Sequence, residues 1–445
     1  MTNASLTVTA TATGSIGPAF AGLSYEKSQL NGSLFTPSNS NLIGLFKRLG
    51  NGILRIGGNS VELNVWTPGG PGQTPGQIAP SDVASLAAFV KATGWQCLYG
   101  VNLAGAATGA TTPALAAAEV ADAVQQFGSS LIGIEIGNEP DLYGQTGNAY
   151  AGNWSLSQFL TLWGQFRAAI RAASPTVPIT GPADSSFEAT WTVPFGQTVT
   201  KSEITLLTQH YYRAASGTSE FLLSPDANLV SDLAILQTGA QGIGVPYLMA
   251  ECNSFWNNGT GVSNSYASSL WAIDFLFNCA QANATGVNFH GGGGQNGFTP
   301  IANQAGVVLD AQPEYYGILF FTLAGQGTLN TTQLSAGGLN VTAYAVKTSS
   351  GGLNLVVVNK DLTNNLQLTI QLPQTANTAT LLEMTQLSQG ATAPNLAATG
   401  GVTIQGASVN PDGTFSPSAA YTLNPKGSQL TCYVPALSAV LIQVT

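Results

Sequence analysis

The sequence predicts a (β/α)8 TIM barrel followed by an antiparallel β-sandwich domain that includes the N-terminal strand. From Pro18 onward, eight short apolar or β-branched runs alternate with longer helical patterns, which is typical of parallel strands joined by helices. After about Ala324 the helical patterns stop, and Gly, Asn, Pro and Ser separate the remaining apolar runs. The 445 residues are therefore expected to form a barrel at 15–325 and a sandwich at 1–14 plus 326–445.

The short apolar runs mark the barrel strands, and the stretches between them have helical periodicity. The predicted strands are Ala19–Glu26, Ile53–Gly57, Trp95–Leu103, Leu131–Glu139, Val177–Gly181, Ile204–Tyr211, Pro246–Glu251 and Gly286–His290. The clearest predicted helices are Ser81–Thr93, Pro113–Phe127, Leu156–Ala173, Leu229–Thr238, Tyr266–Ala282 and Glu314–Leu323.

The C-terminal part has the pattern of a β-sandwich, with short strands and turn residues between them. Its predicted strands are Leu339–Thr348, Leu353–Asn359, Leu366–Leu372, Ala379–Glu383 and Leu430–Thr445. The segment Ser5–Thr13 alternates apolar residues with Thr before the first barrel strand, so we expect it to pair with this domain.

The composition excludes several classes of partner. Twelve Lys and Arg against 21 Asp and Glu give a net charge of −9, and the cations are scattered, so the basic surface of a nucleic-acid-binding protein is missing. No run of 18 apolar residues predicts a membrane span. Charged residues make up only 7% of the chain. We therefore expect a secreted or periplasmic monomer whose signal peptide is absent from this sequence.

The four cysteines show no CxxC or other metal-ligand spacing, and they are predicted to be small buried hydrophobic residues: Cys97, Cys252, Cys279 and Cys432. The sequence does not decide whether Cys252 and Cys279 form a disulfide. Strand alternation predicts that Cys252 points away from Glu251, toward the surrounding helices.

Two glutamates at the ends of predicted barrel strands are the candidate catalytic residues, because active sites of this fold form at the carboxyl ends of the strands. Glu139 ends the fourth strand and Glu251 ends the seventh. Glycoside hydrolysis uses two carboxyl groups, which lie about 5–5.5 Å apart when the anomeric configuration is retained. Each glutamate alone could form a structural ion pair, but the pair at the barrel mouth favours catalysis.

Other polar residues of the barrel are interpreted by their depth in it. Glu135 faces inward below Glu139, so we predict a buried structural ion pair with Arg55. The only two histidines, His210 and His290, end the sixth and eighth strands. Each can bind a sugar hydroxyl, hold a catalytic carboxylate or be a structural residue of the rim. A metal site is a weak hypothesis for such a pair, and no cofactor or metal is expected.

Residues beside the two carboxylates complete the predicted site. Tyr211 could donate its hydroxyl to Glu251 and keep it ionised, although it could also simply pack at the mouth. Trp256, Asn257 and Asn258 form a polar loop after the seventh strand, and such a loop can offer backbone N–H groups to a carboxylate. A loop lining the pocket is predicted from the glycine run 291–294 with Gln295, Asn296 and Phe298.

Several motifs together resemble glycoside hydrolase family 79, the heparanase and β-glucuronidase family. The main one is the run Gly133–Asp141, in which Asn138-Glu139-Pro140 ends the fourth strand. The others are Ala19-Phe20, Leu54–Gly58, Gln209–Tyr212, and Glu251 with its following Ser254 and glycine-bearing loop. The resemblance spans the barrel and, by architecture, the sandwich.

This resemblance implies a role for each matching residue. Glu139 would be the acid/base and Glu251 the nucleophile, Asn138 would contact the sugar 2-hydroxyl, and Tyr211 would orient Glu251. Asn257 and Asn258 stand where the heparanases have glycines whose N–H groups meet the uronic carboxylate. Glu26, at the end of the first strand, would accept bonds from more remote hydroxyls.

The predicted function is that of a retaining exo-acting β-glucuronidase, which removes terminal β-linked glucuronic acid from glycans or glucuronides by double displacement. Sparse cations argue against the long sulfated chains that heparanases bind. A neutral-sugar exo-β-glycosidase, such as a β-glucosidase or β-xylosidase, is one alternative. A non-catalytic carbohydrate-binding barrel is another, and the presence of both carboxylates argues against it.

Overall fold

A computed structural model describes residues 1–291 and 297–445. Eight parallel strands within these residues close a barrel, and each of the eight strand predictions is confirmed. In chain order they are Ala21–Glu26, Ile53–Gly57, Gln96–Val101, Leu131–Ile136, Ile179–Asp184, Leu206–Ala214, Tyr247–Phe255 and Val287–Gly291. They are called the first to eighth barrel strands below. The sixth and seventh strands continue beyond their predicted ends at Tyr211 and Glu251, whereas the fourth ends three residues before Glu139.

Helices surround the barrel, and the six predicted ones are present with small shifts of their ends. The α-helices are Ser40–Arg48, Pro80–Thr93, Pro113–Phe127, Leu156–Ala173, Val193–Thr198, Ser219–Leu223, Ala227–Ile243, Tyr266–Gln281 and Pro313–Leu323. Short 3-10 helices occupy Lys27–Asn31, Asn59–Leu63, Ala104–Ala107, Gly128–Ser130 and Pro140–Leu142, and a π-helix occupies Glu188–Thr192. Three of the 3-10 helices follow the second, third and fourth barrel strands, so they belong to the loops of the barrel mouth.

Two small two-stranded sheets lie in the segments that follow the second and the eighth barrel strands. Val65–Trp66 pairs in parallel with Gln77–Ile78 after the second barrel strand. Ile301–Gln304 pairs antiparallel with Val307–Ala311 after the eighth. Residues 292–296, which include Gln295 and Asn296 and most of the predicted glycine loop, lie outside the described residues.

The second domain is a curled ten-stranded sheet. Its strands are Thr2–Ile16, Gly327–Ser335, Val341–Thr348, Leu353–Asn359, Leu366–Gln371, Ala379–Gln386, Val402–Ile404, Tyr421–Leu423, Gln429–Val434 and Ser438–Val444. The predicted strand Leu430–Thr445 is two strands with Pro435 between them. The curled sheet encloses its own core, to which Leu6, Leu355, Leu368 and Ile442 contribute. The predicted sandwich is thus confirmed.

The N-terminal strand joins this domain, as predicted from its alternating pattern. Thr2–Ile16 pairs antiparallel with Gly327–Ser335 and in parallel with Leu366–Gln371. The sheet is therefore mixed, not purely antiparallel as predicted. A parallel pair is possible here because the whole barrel lies between the two strands in the chain, whereas a hairpin can join only antiparallel strands.

The outer face of the sandwich packs on the barrel helices. Tyr344 stacks on Phe277 of helix Tyr266–Gln281 with ring centroids 4.3 Å apart. Asp274 of the same helix accepts hydrogen bonds from Thr342 Oγ1 and Tyr344 Oη, and it pairs with Lys360. The helix is buried between the two domains, which explains why its sequence is apolar on nearly all sides.

All four cysteines are free and buried. Cys252 belongs to the core between the barrel and its helices, as strand alternation predicted. Among the helices of the described residues, none combines the length and the apolar character that crossing a bilayer requires.

Candidate active site

Glu139 and Glu251 converge at the barrel mouth from strands that face each other across it. One carboxylate oxygen of each residue and one ring nitrogen of His210 all lie within 4.8 Å of one another. This spacing matches the short separation of retaining glycosidases, and it is below the roughly 6.5–9.5 Å that inverting enzymes need for a water molecule. The two carboxyl groups can therefore serve as nucleophile and acid/base of a double displacement.

The backbone of the turn after the fourth strand aims Glu139. The strand ends at Ile136, and Glu139 has the left-handed conformation with φ 47° and ψ 54°. Its N–H donates to the carbonyl of Ala183, which holds the turn against the fifth strand. Pro140 then starts a 3-10 helix. A left-handed non-glycine residue is uncommon and is often found at functional sites.

A β-bulge in the seventh strand determines the direction of the Glu251 side chain. Leu248 and Ala250 both face the barrel interior, so regular alternation would turn Glu251 outward. In the pairing with the sixth strand, however, Met249 lies opposite Gln209 and Glu251 lies opposite His210, which leaves Ala250 as the extra residue. The bulge reverses the alternation and directs Glu251 into the mouth. Sequence spacing alone cannot reveal this shift.

Arg55 is the buried cation beneath both carboxylates. Its Nε donates to Glu135 Oε2 at 2.6 Å, which is the predicted ion pair. Its Nη1 donates to Glu251 Oε2 at 2.6 Å and its Nη2 to Asn138 Oδ1 at 2.9 Å, two contacts that the sequence did not predict. Gly57 makes room for this side chain, because a Cβ there would lie 2.3 Å from Arg55 Cζ.

The surroundings drive the pKa values of the two carboxyl groups apart. Burial and the negative charge of Glu251 raise the pKa of Glu139 to about 8. Burial also acts to raise the pKa of Glu251, but the nearby charges of His290 and Arg55 and the Tyr212 hydrogen bond outweigh it, and the pKa is lowered. At neutral pH Glu139 thus holds a proton and Glu251 is ionised, which are the states that an acid and a nucleophile require.

Each histidine contacts one of the catalytic candidates. His210 Nδ1 lies 3.0 Å from Glu139 Oε1, and burial lowers the pKa of His210 to about 4, so its ring is neutral at pH 7. His290 lies between Glu251 and Glu26, with ring nitrogens 3.7 Å and 3.6 Å from their carboxylates. Although burial acts to lower the pKa of His290, these two negative charges raise it.

The tyrosine that contacts Glu251 is Tyr212, not Tyr211. Tyr212 Oη donates to Glu251 Oε1 at 2.9 Å. Tyr211 points to the opposite face of the sixth strand, where its hydroxyl donates to Asp226 Oδ2 at 2.5 Å and its ring stacks on Phe275. The prediction for Tyr211 is therefore wrong. The sixth strand continues past His210 with regular alternation, so the inward residue after His210 is Tyr212.

In the loop after the seventh strand, Asn257 does not have the predicted role of a backbone donor to the substrate. The N–H of Asn257 donates to the carbonyl of Ala215, so it is not available to a substrate carboxylate. Asn258 has φ 63°, and its carbonyl accepts the N–H of Phe298. Trp256 is three-fifths exposed (60%) and open to a ligand. Substrate contacts by Trp256 and by the Asn258 N–H stay predictions.

Phe298 and Glu26 lie on the sides of the pocket. The Phe298 ring is 5.8 Å from that of Tyr212 and 5.9 Å from that of His290, so it borders the nucleophile side. Glu26 accepts the backbone N–H groups of Asn59 and Ser60 at 3.2 Å and 2.7 Å. Phe298 and Glu26 therefore both lie at the barrel mouth. Their predicted contacts to substrate stay predictions.

Glu62 is a site residue that the sequence did not single out. It accepts the N–H groups of Leu103, Ala104 and Asn138 at 2.7–2.9 Å and the hydroxyl of Tyr143. One carboxylate thereby ties together the loops after the second, third and fourth strands. It fixes the backbone of Asn138, whose side chain is held by Arg55. A glutamate in a helical stretch away from strand ends gives no sequence signal of this role.

Glu139, His210 and Glu251 are also close enough to be considered as metal ligands. Glu251 Oε2, however, already accepts a hydrogen bond from the buried Arg55 cation. The donor set therefore fits acid/base chemistry better than a metal centre.

Comparisons with known proteins give one relative by sequence. The chain matches no protein-family model. A β-glucuronidase of Aspergillus niger is 25% identical over 262 residues, which cover 52% of this chain and 48% of that protein. The match thus spans about half the length of this curated relative.

Solved structures with the same fold are glycoside-cleaving enzymes. A 4-O-α-L-rhamnosyl-β-D-glucuronidase of Fusarium oxysporum 12S, solved with rhamnosyl-glucuronic acid, superposes with a TM-score of 0.81 at 17% identity and covers 98% of this chain and 99% of its own. A family 51 arabinofuranosidase of Xanthomonas axonopodis pv. citri gives 0.68 at 14% identity, with full coverage of both chains. The chain is thus similar in sequence to a β-glucuronidase over about half its length, and it has the fold of a solved glucuronidase along nearly its whole length.

Proposed function

We propose that this protein is a retaining exo-acting β-glucuronidase. Glu251 attacks the anomeric carbon while Glu139 gives its proton to the leaving oxygen, which releases the leaving group and forms a glycosyl ester. Glu139, now ionised, then takes a proton from water. The water oxygen attacks the anomeric carbon, the ester bond to Glu251 breaks, and the sugar leaves with its β-configuration.

One observation carries this proposal: two carboxyl groups with oxygens within 4.8 Å have environments that favour opposite protonation states. Glu251 accepts from Arg55 and Tyr212, so its charge is stabilised by two donors. His210 supports the acid. If its neutral ring carries the proton on Nδ1, it donates to Glu139 Oε1 and leaves Oε2 to face the leaving oxygen.

Glucuronic acid as the sugar is supported by the Aspergillus niger relative. The Asn258 N–H is the proposed backbone donor to the sugar carboxylate. A neutral-sugar β-glycosidase is the main alternative, since the same fold occurs in an arabinofuranosidase. The low fraction of charged residues favours a secreted or periplasmic monomer.

A panel of nitrophenyl β-glycosides tests the proposal. The glucuronide should be cleaved with a kcat/KM far above those of the glucoside and xyloside, and the first product seen by NMR should be the β-anomer. Glu251→Gln should abolish turnover in a chain that still folds, as checked by circular dichroism, whereas the exposed Glu220→Gln should behave like the native chain. Preference for the glucoside or xyloside would overturn the assigned sugar, and full activity of Glu251→Gln would overturn the assigned nucleophile.

A further inference from the structure

A cleft of 580 Å³ opens beside Glu139 between the loops that follow the second, third and fourth barrel strands. Glu139 and Asn138 line it, whereas Glu251 and Tyr212 are outside its lining. The acid/base thus stands between the cleft and the nucleophile. Since the acid protonates the leaving oxygen, the leaving group must extend from the side of the sugar on which Glu139 lies.

We infer that this cleft is the leaving-group site and that it takes an uncharged oligosaccharide of two or more sugars. The inference rests on the proposed function for the role of Glu139. It goes further by assigning the chemical class of the group to which the cleaved sugar is attached.

The charge of the cleft excludes an anionic leaving group. Its lining contains no Lys, Arg or His. Along the sequence, Lys91 is the only Lys or Arg between Arg55 and Arg167, so the three loops contain none. Arg55 itself is fully buried and bonded to Glu135 and Glu251. With no cation in its wall, the cleft has no group that could pair with the charges of a sulfated or uronic chain.

The remaining lining suits a sugar chain. Asn59, Thr108 and Asn148 place amide and hydroxyl groups along the cleft, and Leu63 and Leu142 place apolar surface between them. Leu63 is 71% exposed, so its apolar side chain is accessible to a ligand. Sugars present both hydroxyl groups and apolar C–H faces, so they match this mixture.

Size and rigidity agree with an oligosaccharide. The volume falls in the range of about 300–1,000 Å³ that is typical of sites for drug-sized ligands, and this exceeds what one sugar fills. The walls are held in place before binding, because Glu62 bonds to the N–H groups of Leu103, Ala104 and Asn138. A preformed site loses little entropy when a ligand enters.

Four substrates test the inference: nitrophenyl β-glucuronide, β-glucuronosyl-glucose, β-glucuronosyl-cellobiose and the same trisaccharide sulfated on its cellobiose part. We expect kcat/KM to rise roughly tenfold from the glucose to the cellobiose compound, because the second sugar adds binding energy remote from the reacting bond. Sulfation should remove this gain. Equal rates for the glucose and cellobiose compounds, or equal rates with and without sulfate, would overturn the inference.

Variants at the cleft sharpen the test. Leu63→Asp should reduce the ratio of kcat/KM for the cellobiose compound to that for the glucose compound, while Leu362→Asp, an equally polar change at an exposed leucine of the sandwich domain, should leave it unchanged. A Leu63→Asp ratio equal to that of the native chain contradicts the inference. If all glucuronides are inert, the proposed function fails separately, and the same ratio is then measured with the matching β-glucosyl donors.

Discussion

Tyr212 donates its hydroxyl to Glu251 Oε1 at 2.9 Å, while the preceding Tyr211 donates to Asp226 on the other face of the same strand. Tyr212→Phe should lower kcat/KM by about tenfold to a hundredfold, because a hydrogen bond to a charged group contributes about 1.5–3 kcal/mol. Tyr211→Phe should instead lower the free energy of unfolding and keep kcat/KM. Steady-state kinetics and urea unfolding of both variants separate the two roles, and the reverse pattern would refute the assignment.

The raised pKa of Glu139 predicts the alkaline limit of activity. The acid must be protonated, so kcat/KM should fall above about pH 8. The acid limb should lie below the range of an ordinary glutamate, because the pKa of Glu251 is lowered. The pH dependence of nitrophenyl glucuronide cleavage measures both limbs. An alkaline limb near pH 5 would contradict the raised pKa of Glu139.

Replacing Asp141 should shift the alkaline limit of activity. Its negative charge is one of the contributions that raise the pKa of Glu139, after burial and Glu251. Asp141→Asn removes the charge, so the pKa of Glu139 should fall and the alkaline limb should move to lower pH. Asp361→Asn, in the sandwich domain, is the control and should leave the profile in place. A limb that moves upward in Asp141→Asn would contradict the electrostatic explanation.

Arg55 should be essential for folding as well as for activity. Arg55→Met leaves Glu135 and Glu251 buried without their cation, which we expect to cost about 3–5 kcal/mol of unfolding free energy. Arg167 forms a partly exposed ion pair with Glu203, so Arg167→Met should cost about 1 kcal/mol or less. Guanidinium unfolding of the two variants makes the comparison, and similar losses would contradict the stabilising role assigned to the buried ion pairs of Arg55.

Glu62 should act through Asn138. The two carboxylate oxygens of Glu62 together accept three backbone N–H groups. In Glu62→Gln an NH2 group takes the place of one of these oxygens, so one acceptor is lost and the Asn138 backbone should shift. We expect kcat/KM for the nitrophenyl glucuronide to fall by about tenfold, and by much less for its 2-deoxy analogue, because Asn138 is assigned to the 2-hydroxyl. Equal losses on both substrates would point to general destabilisation of the mouth.

The barrel and the candidate carboxylates could be predicted because they depend on local patterns. Eight strand and helix units have clear periodicity, and Glu139 follows a strand in a distinctive Asn-Glu-Pro run. The contacts around them depend on register. The bulge at Ala250 and the continuation of the sixth strand to Ala214 decide which side chains face inward, and neither has a signature in the sequence.

Contacts between distant segments were the least predictable. Glu62 is bonded to residues about 40 and 76 positions away, and Arg55 to one 196 positions away, so only the folded chain brings these groups together. The parallel pairing of Thr2–Ile16 with Leu366–Gln371 likewise joins segments that are far apart in the sequence. Apolar alternation showed that this segment is a strand, but it contains no information about the direction of its neighbour.

That N-terminal strand has a consequence for biosynthesis. Both of its neighbours, Gly327–Ser335 and Leu366–Gln371, are translated after the whole barrel. This segment must therefore wait until the barrel has been translated before its backbone groups find their partners. A product truncated before Gly327 would leave Thr2–Ile16 without either neighbour.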